Sequence, residues 1–201
     1  MNEEYTILLH DLLILEEMAA NMAAYLDSDV KQWTIPRANM PRLTIGGYLM
    51  RQQRLKALQD RLQPDAHARY WVAVQKFDEA LVERIVRFEV RANQELHTRI
   101  AEWVNYLRDL GGHVANEANY YAGIVDTRVV INSLINQLQK RPYQLDQGVL
   151  EEVESLDNNL RLRLEGHEFI WEGVWKPAYP PEESWWLYGY PRRIESSASK
   201  R

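Results

Sequence analysis

Chemistry on a helical scaffold starts from acids and imidazoles one turn apart, so the five histidines and the paired carboxylates are read first. Glu95-Leu96-His97 and Glu165-Gly166-His167-Glu168 hold the two groups too close in sequence to share one helical face. His113 and Glu117 stand at i,i+4 and do share a face. Two ligands make no metal site, however, and the pair reads as a helix-start histidine beside a solvated carboxylate. His10 lies on the narrow polar side of an apolar segment and reads as hydrogen-bonded or exposed. No Glu-x-x-His, the element of di-metal carboxylate bundles, occurs. Of the carboxylate pairs, Glu16/Glu17 and Glu151/Glu152 diverge by about 100° on a helix, and Glu79/Glu83 share a face without a third group to complete a mechanism. No P-loop or glycine-rich dinucleotide turn is present. The lack of cysteine removes disulfides, thiolate metal sites and a cysteine nucleophile together. The expectation is no catalytic residue, no metal and no cofactor. An enzyme whose site escapes motif reading is the second alternative, with a pocket expected beneath Trp185 and Trp186.

Charge supplies a different chemistry. Residues 31–61 carry Lys31, Arg37, Arg42, Arg51, Arg54, Lys56 and Arg61 against one acid, Asp60, although the whole chain has a net charge of −5. Arg37, Arg42, Arg51, Arg54 and Arg61, with Trp33 and Tyr48 nearby, are of the types that contact phosphates and stack on bases. An accessory nucleic-acid-binding role for this segment is the first alternative. Against it, the sequence pI is 5.6, whereas nucleic-acid-binding domains are usually basic. The acids Asp146, Glu151, Glu152, Glu154 and Asp157 are also placed to neutralise the block, within the fold or in a neighbouring copy.

The third concentration of chemistry is aromatic. His167 to Pro191 holds Phe169, Trp171, Trp175, Tyr179, Trp185, Trp186, Tyr188 and Tyr190, with Pro177, Pro180, Pro181 and Pro191 among them. Four prolines argue against a helix, and the shared parity of Phe169, Trp171 and Trp175 suits a short extended piece. These side chains represent on the order of 1,200 Å² of mostly apolar surface, whereas a soluble monomer leaves about 300–600 Å² in one patch. The arm must therefore lie on something, either as a strap on its own bundle or as a docking segment. In the second case Trp171, Trp175, Trp185, Trp186 and Tyr188 are the partner-binding candidates.

The elements that position these groups are helices. From Asp65 to Leu110 there is no proline or glycine, and Tyr70, Val74, Phe77, Leu81, Ile85, Phe88, Ala92, Leu96, Ile100, Trp103, Leu107 and Leu110 recur at a mean step of roughly 3.64, the period of a straight helix. One central helix about 70 Å long is expected over 65–110, with a polar waist near Asn93 as the place for any break and Gly111-Gly112 as its cap. Trp71, Val82 and Val86 widen its first half on one flank, enough to meet two partner helices. A first helix over Glu4–Asp27 carries a seam of Tyr5, Leu8, Leu12, Leu15, Ala19, Met22 and Leu26, and asks for burial by neighbours or by a second copy. A second runs from the Thr44 cap to Gln63, its Gly46-Gly47 suited to close backbone packing or to a loose start. A fourth spans His113–Lys140 and a fifth runs from an Asp146 cap to Gly166.

The fold expected is all-α, a bundle of about five helices over 1–166, with the extended arm over 167–191 and a mobile tail over 192–201. No apolar run is long enough to span a membrane, and the acidic start, Met1-Asn2-Glu3-Glu4, is unlike a signal peptide, so a cytoplasmic protein is expected. Its function reads as a non-catalytic structural or adaptor protein that associates with a protein partner or with itself, because its apolar faces demand more cover than five helices supply.

Overall fold

The seam of the first helix folds as its spacing requires. In a computed structural model that describes residues 3–110 and 118–192, α1 runs Glu3–Asp27 and buries Leu8, Leu12, Leu15, Ala19, Met22 and Leu26. The fold is an all-α helical bundle carrying one small two-stranded sheet. The Gly111-Gly112 cap, the His113/Glu117 pair and the tail from residue 193 lie outside the described residues.

The chain divides into two compact units. The first comprises Met1–His97 with Val130–Asp146. Here α1 packs on α2 (Ile45–Ala57) and on α3 (Pro64–Glu83). Thr44 caps α2, its hydroxyl accepting from the Gly47 amide at 3.0 Å, and Pro64 opens α3, where its missing N–H costs nothing. Gly46 is needed for packing, since a Cβ there would overlap Val130 Cγ1 and stand 2.9 Å from a Glu95 carboxylate oxygen. Tyr48 stacks on Phe77 with ring centroids 3.9 Å apart, which fastens α2 to α3.

The long central helix expected over 65–110 is interrupted. It is two helices, α3 and α4 (Ile85–Asp109), separated at Arg84 with φ −134° and ψ 35°. At the break Asp27 and Glu83 hold the Arg84 guanidinium at 2.9 and 2.7 Å. The stripe shifts phase there: Tyr70, Phe77, Leu81, Phe88, Ala92 and Leu96 are buried, but Ile85 is 37% exposed. The waist near Asn93 stays helical. Its amide donates to the carbonyls of Glu89 and Gln144 at 3.2 and 3.0 Å and accepts from the Asp146 amide at 3.3 Å, so its polarity fastens the 144–146 loop.

The second unit comprises Thr98–Val129 with Gln147–Arg201. The expected fourth helix is α5 (Ala118–Ile124) and α6 (Asp126–Leu138), parted at Val125. The fifth, α7, is Val149–Arg161: it starts later than expected, with Gly148 at φ +86° before it in place of Asp146, and it stops earlier, ahead of a strand that begins at Leu164. Strand β1 (Leu164–Phe169) then pairs antiparallel with β2 (Tyr188–Pro191) in the register Leu164 to Pro191 and Glu165 to Tyr190, with an irregularity before Phe169 meets Tyr188. The expectation of an arm without helix is corrected. A 3₁₀ segment runs Gly173–Ala178 through Pro177, and the single turn α8 (Pro181–Ser184) has Pro181 in its first position, where proline is tolerated.

Candidate interaction surface

The outer face of α3 and the first turns of α4 carry apolar residues that stay exposed among the described residues. Val82 lies about three helical turns beyond Trp71, so the two share a face, and Val86 follows across the Arg84 break. Val82 is 72% exposed, Val86 75%, and Trp71, Ile85 and Val90 between 37% and 49%. Together they present apolar surface on the order of 400–500 Å², in the middle of the roughly 300–600 Å² found for the largest patch of a monomer.

Two open troughs meet along this ridge. One, of about 610 Å³, follows α3 past Trp71, Val74, Gln75, Asp78, Glu79, Val82 and Glu83. The other, of about 570 Å³, surrounds the joint at Asp27, Val82, Glu83, Arg84, Ile85, Val86 and Arg87. The Trp71 indole is set edge-on to Tyr70 and donates to His67 at 3.2 Å. Partial burial raises the Asp78 carboxyl above its ordinary value, opposed by Lys140, and burial with Asp78 nearby pushes the Tyr70 hydroxyl up to about 12. A carboxyl whose folded-state value exceeds its unfolded one carries no penalty below the unfolded value and a full one above the folded value. Asp78→Asn is therefore expected to raise the thermal midpoint of dilute protein at pH 7 and to leave it unchanged near about pH 2.5, read by circular dichroism. A lower midpoint at pH 7 contradicts this.

The rim of the ridge is charged in order along the chain. Asp78, Glu79 and Glu83 lie on the α3 side, Arg84 and Arg87 on the α4 side. Arg84 is held by Asp27 and Glu83; Arg87 donates to the Asp27 carbonyl at 3.0 Å and lies 3.5 Å from its carboxylate, with 58% of its side chain exposed.

The sequence-derived candidates fall elsewhere. Of the aromatic set, Trp175, Trp186 and Tyr188 are buried, and Trp171 and Trp185 are half-buried. Trp171 donates to the Ala122 carbonyl at 2.9 Å, the Tyr121 hydroxyl donates to the Trp186 carbonyl at 2.6 Å, and Tyr188 donates to the Tyr179 carbonyl at 2.8 Å. Arg128 lies 3.9 Å over the Trp186 ring and makes two 2.8 Å bonds to Asp157; Arg161 lies 4.3 Å over Trp185. In this unit the arm straps its own helices.

The arginines of the basic segment face the acids of α1. Arg37 meets Glu17 at 2.6 Å, Arg61 comes within 4.0 Å of Glu4, and both Arg51 and Arg54 reach the buried Asp11. Arg42 donates to Gln32 at 3.4 Å. Of the acids named for neutralising the block, two have partners elsewhere: Asp146 pairs with His97 at 2.8 Å and Asp157 with Arg128. Among the described residues no three His, Asp or Glu side chains converge as a metal site requires, and no helix is long and apolar enough to cross a membrane.

The chain matches no protein-family model, no curated protein and no solved structure. The signal for the ridge was already in the flank of Trp71, Val82 and Val86, which asked for a second helix. What periodicity did not reveal is that Ile85 and Val90 join that flank, because the phase shift at Arg84 has no glycine or proline to mark it.

Proposed function

We propose that the protein is a non-catalytic structural or adaptor protein of the cytoplasm that joins another protein chain through the ridge around Val82 and Val86. One observation carries this reading: two valines some three-quarters exposed at the meeting of two troughs, with an indole at one end and charges along the rim. Leaving such a patch in water forgoes roughly 25 cal/mol for each Å² that a partner would cover. An apolar centre inside a polar rim is also the anatomy of a protein interface. Nucleic-acid binding gains no comparable support, since Arg37, Arg51, Arg54 and Arg61 are engaged with acids of α1.

The test is the native size of the protein. In extract from cells producing it at its own level, the wild-type chain is expected to elute from gel filtration well above its 23.7 kDa mass, and the Val82→Glu/Val86→Glu chain at that mass. Both substitutions sit in solvent, so the melting curve is expected to hold within a few degrees. Elution of the wild-type chain at monomer size overturns the reading.

A further inference from the structure

We infer that the occupant of the ridge is a second copy of this chain, docked antiparallel about a twofold axis near Val82 and Val86, with α3 of each protomer along α4 of the other. The inference rests on the ridge being a docking surface, and its own ground is the charge layout. Exposed Asp78 and Glu79 stand on the α3 side of the two valines, and exposed Arg87 on the α4 side. A twofold axis sets a patch against its own reverse, which is favourable only where the patch is self-complementary. Here reversal sets the acidic α3 side of one protomer along the basic α4 side of its partner copy, with the valines at the centre. A parallel arrangement would set acid on acid. An unrelated partner would have to carry base and acid in the same order around an apolar centre; a second copy does so by identity.

Sedimentation velocity of the purified full chain over about 1–100 µM tests this, with circular dichroism to confirm the fold. The wild type is expected to sediment as a dimer, and Val86→Glu to raise the dissociation constant about tenfold or more. Glu79→Arg and Arg87→Glu are each expected to dissociate the dimer, because each sets like charges together. Mixing those two chains restores it, because both pairs are then opposite in sign. Should Val86→Glu fail to fold, the charge reversals, at exposed positions, read the same interface. A dimer indifferent to all three changes, or two reversed chains that do not rescue each other, overturns the proposal. A wild type that is monomeric when pure overturns it too. If that chain is nonetheless large in extract, the docking surface stands and only its occupant is wrong; if it is small in both, the two readings fall together.

Discussion

Replacing Asp11 with alanine is expected to lower folding stability by about 3–5 kcal/mol, the usual cost of removing one partner from a buried ion pair. Asp11 is 3% exposed on α1, facing α2. Its carboxylate accepts from Arg54 Nε at 2.7 Å and from a second nitrogen of the same guanidinium, a two-bond fork, and lies 3.2 Å from Arg51 Nε. The arginine side chains are only 12% and 14% exposed, so water cannot replace the lost acid. Arg51 also donates to the Gly47 carbonyl at 2.8 Å, which holds its head in place over the first turn of α2. The contrast is Glu17→Ala. That change breaks the 2.6 Å pair with Arg37, whose members are 27% and 48% exposed, and is expected to cost under about 1 kcal/mol. Urea titrations that place the two variants within about 1 kcal/mol of each other contradict the burial argument.

Glycine 189 carries the second large effect. Its φ is +116°, and a Cβ there would overlap the carbonyl oxygen of Glu165 across the β1–β2 pair and lie 3.0 Å from that of Gly166. Backbone cannot move aside as a flexible side chain can. Gly189→Ala is expected to destabilise the second unit by about 3 kcal/mol or more, from backbone strain and overpacking together. The near-ultraviolet dichroism of the Trp175 and Trp186 packing should weaken with it. Gly123→Ala is the control, since nothing lies within 4 Å of its added Cβ and its helix should gain about 0.5–1 kcal/mol. Equal melting curves for the two variants would show that the strand pair tolerates the added methyl.

What could be read beforehand was periodicity and punctuation. The seam from Leu8 to Leu26 and the Thr44 cap each follow from local residue chemistry and stand in the fold, and of the two readings of Gly46-Gly47 the close packing is the one found. The break at Arg84 escaped because it is made by a φ/ψ choice and by a distant carboxylate, Asp27, with no breaker residue to announce it. The strand pair escaped for a related reason: Gly166 and Gly189 adopt positive φ in register with each other, a relation across residues far apart in sequence. The arginines of the basic segment were legible as a block. Their partners were not, because Glu4, Asp11 and Glu17 lie 20 or more residues earlier on α1. Of the proposed interaction surface, Trp71, Val82 and Val86 were legible as a flank in need of cover, and only the fold could show them exposed.

The most direct measurement places a photo-activated crosslinking amino acid at Val82 in the full chain, with the same group at exposed Asp65 as reference, in cells making the protein at its own level. Irradiation is expected to give a discrete adduct from position 82, at twice the 23.7 kDa chain if the occupant is a second copy, that is missing from position 65 and lost when Val86→Glu is added. Adducts of equal yield from both positions, or none from position 82, would contradict the ridge as the place where this protein meets another chain.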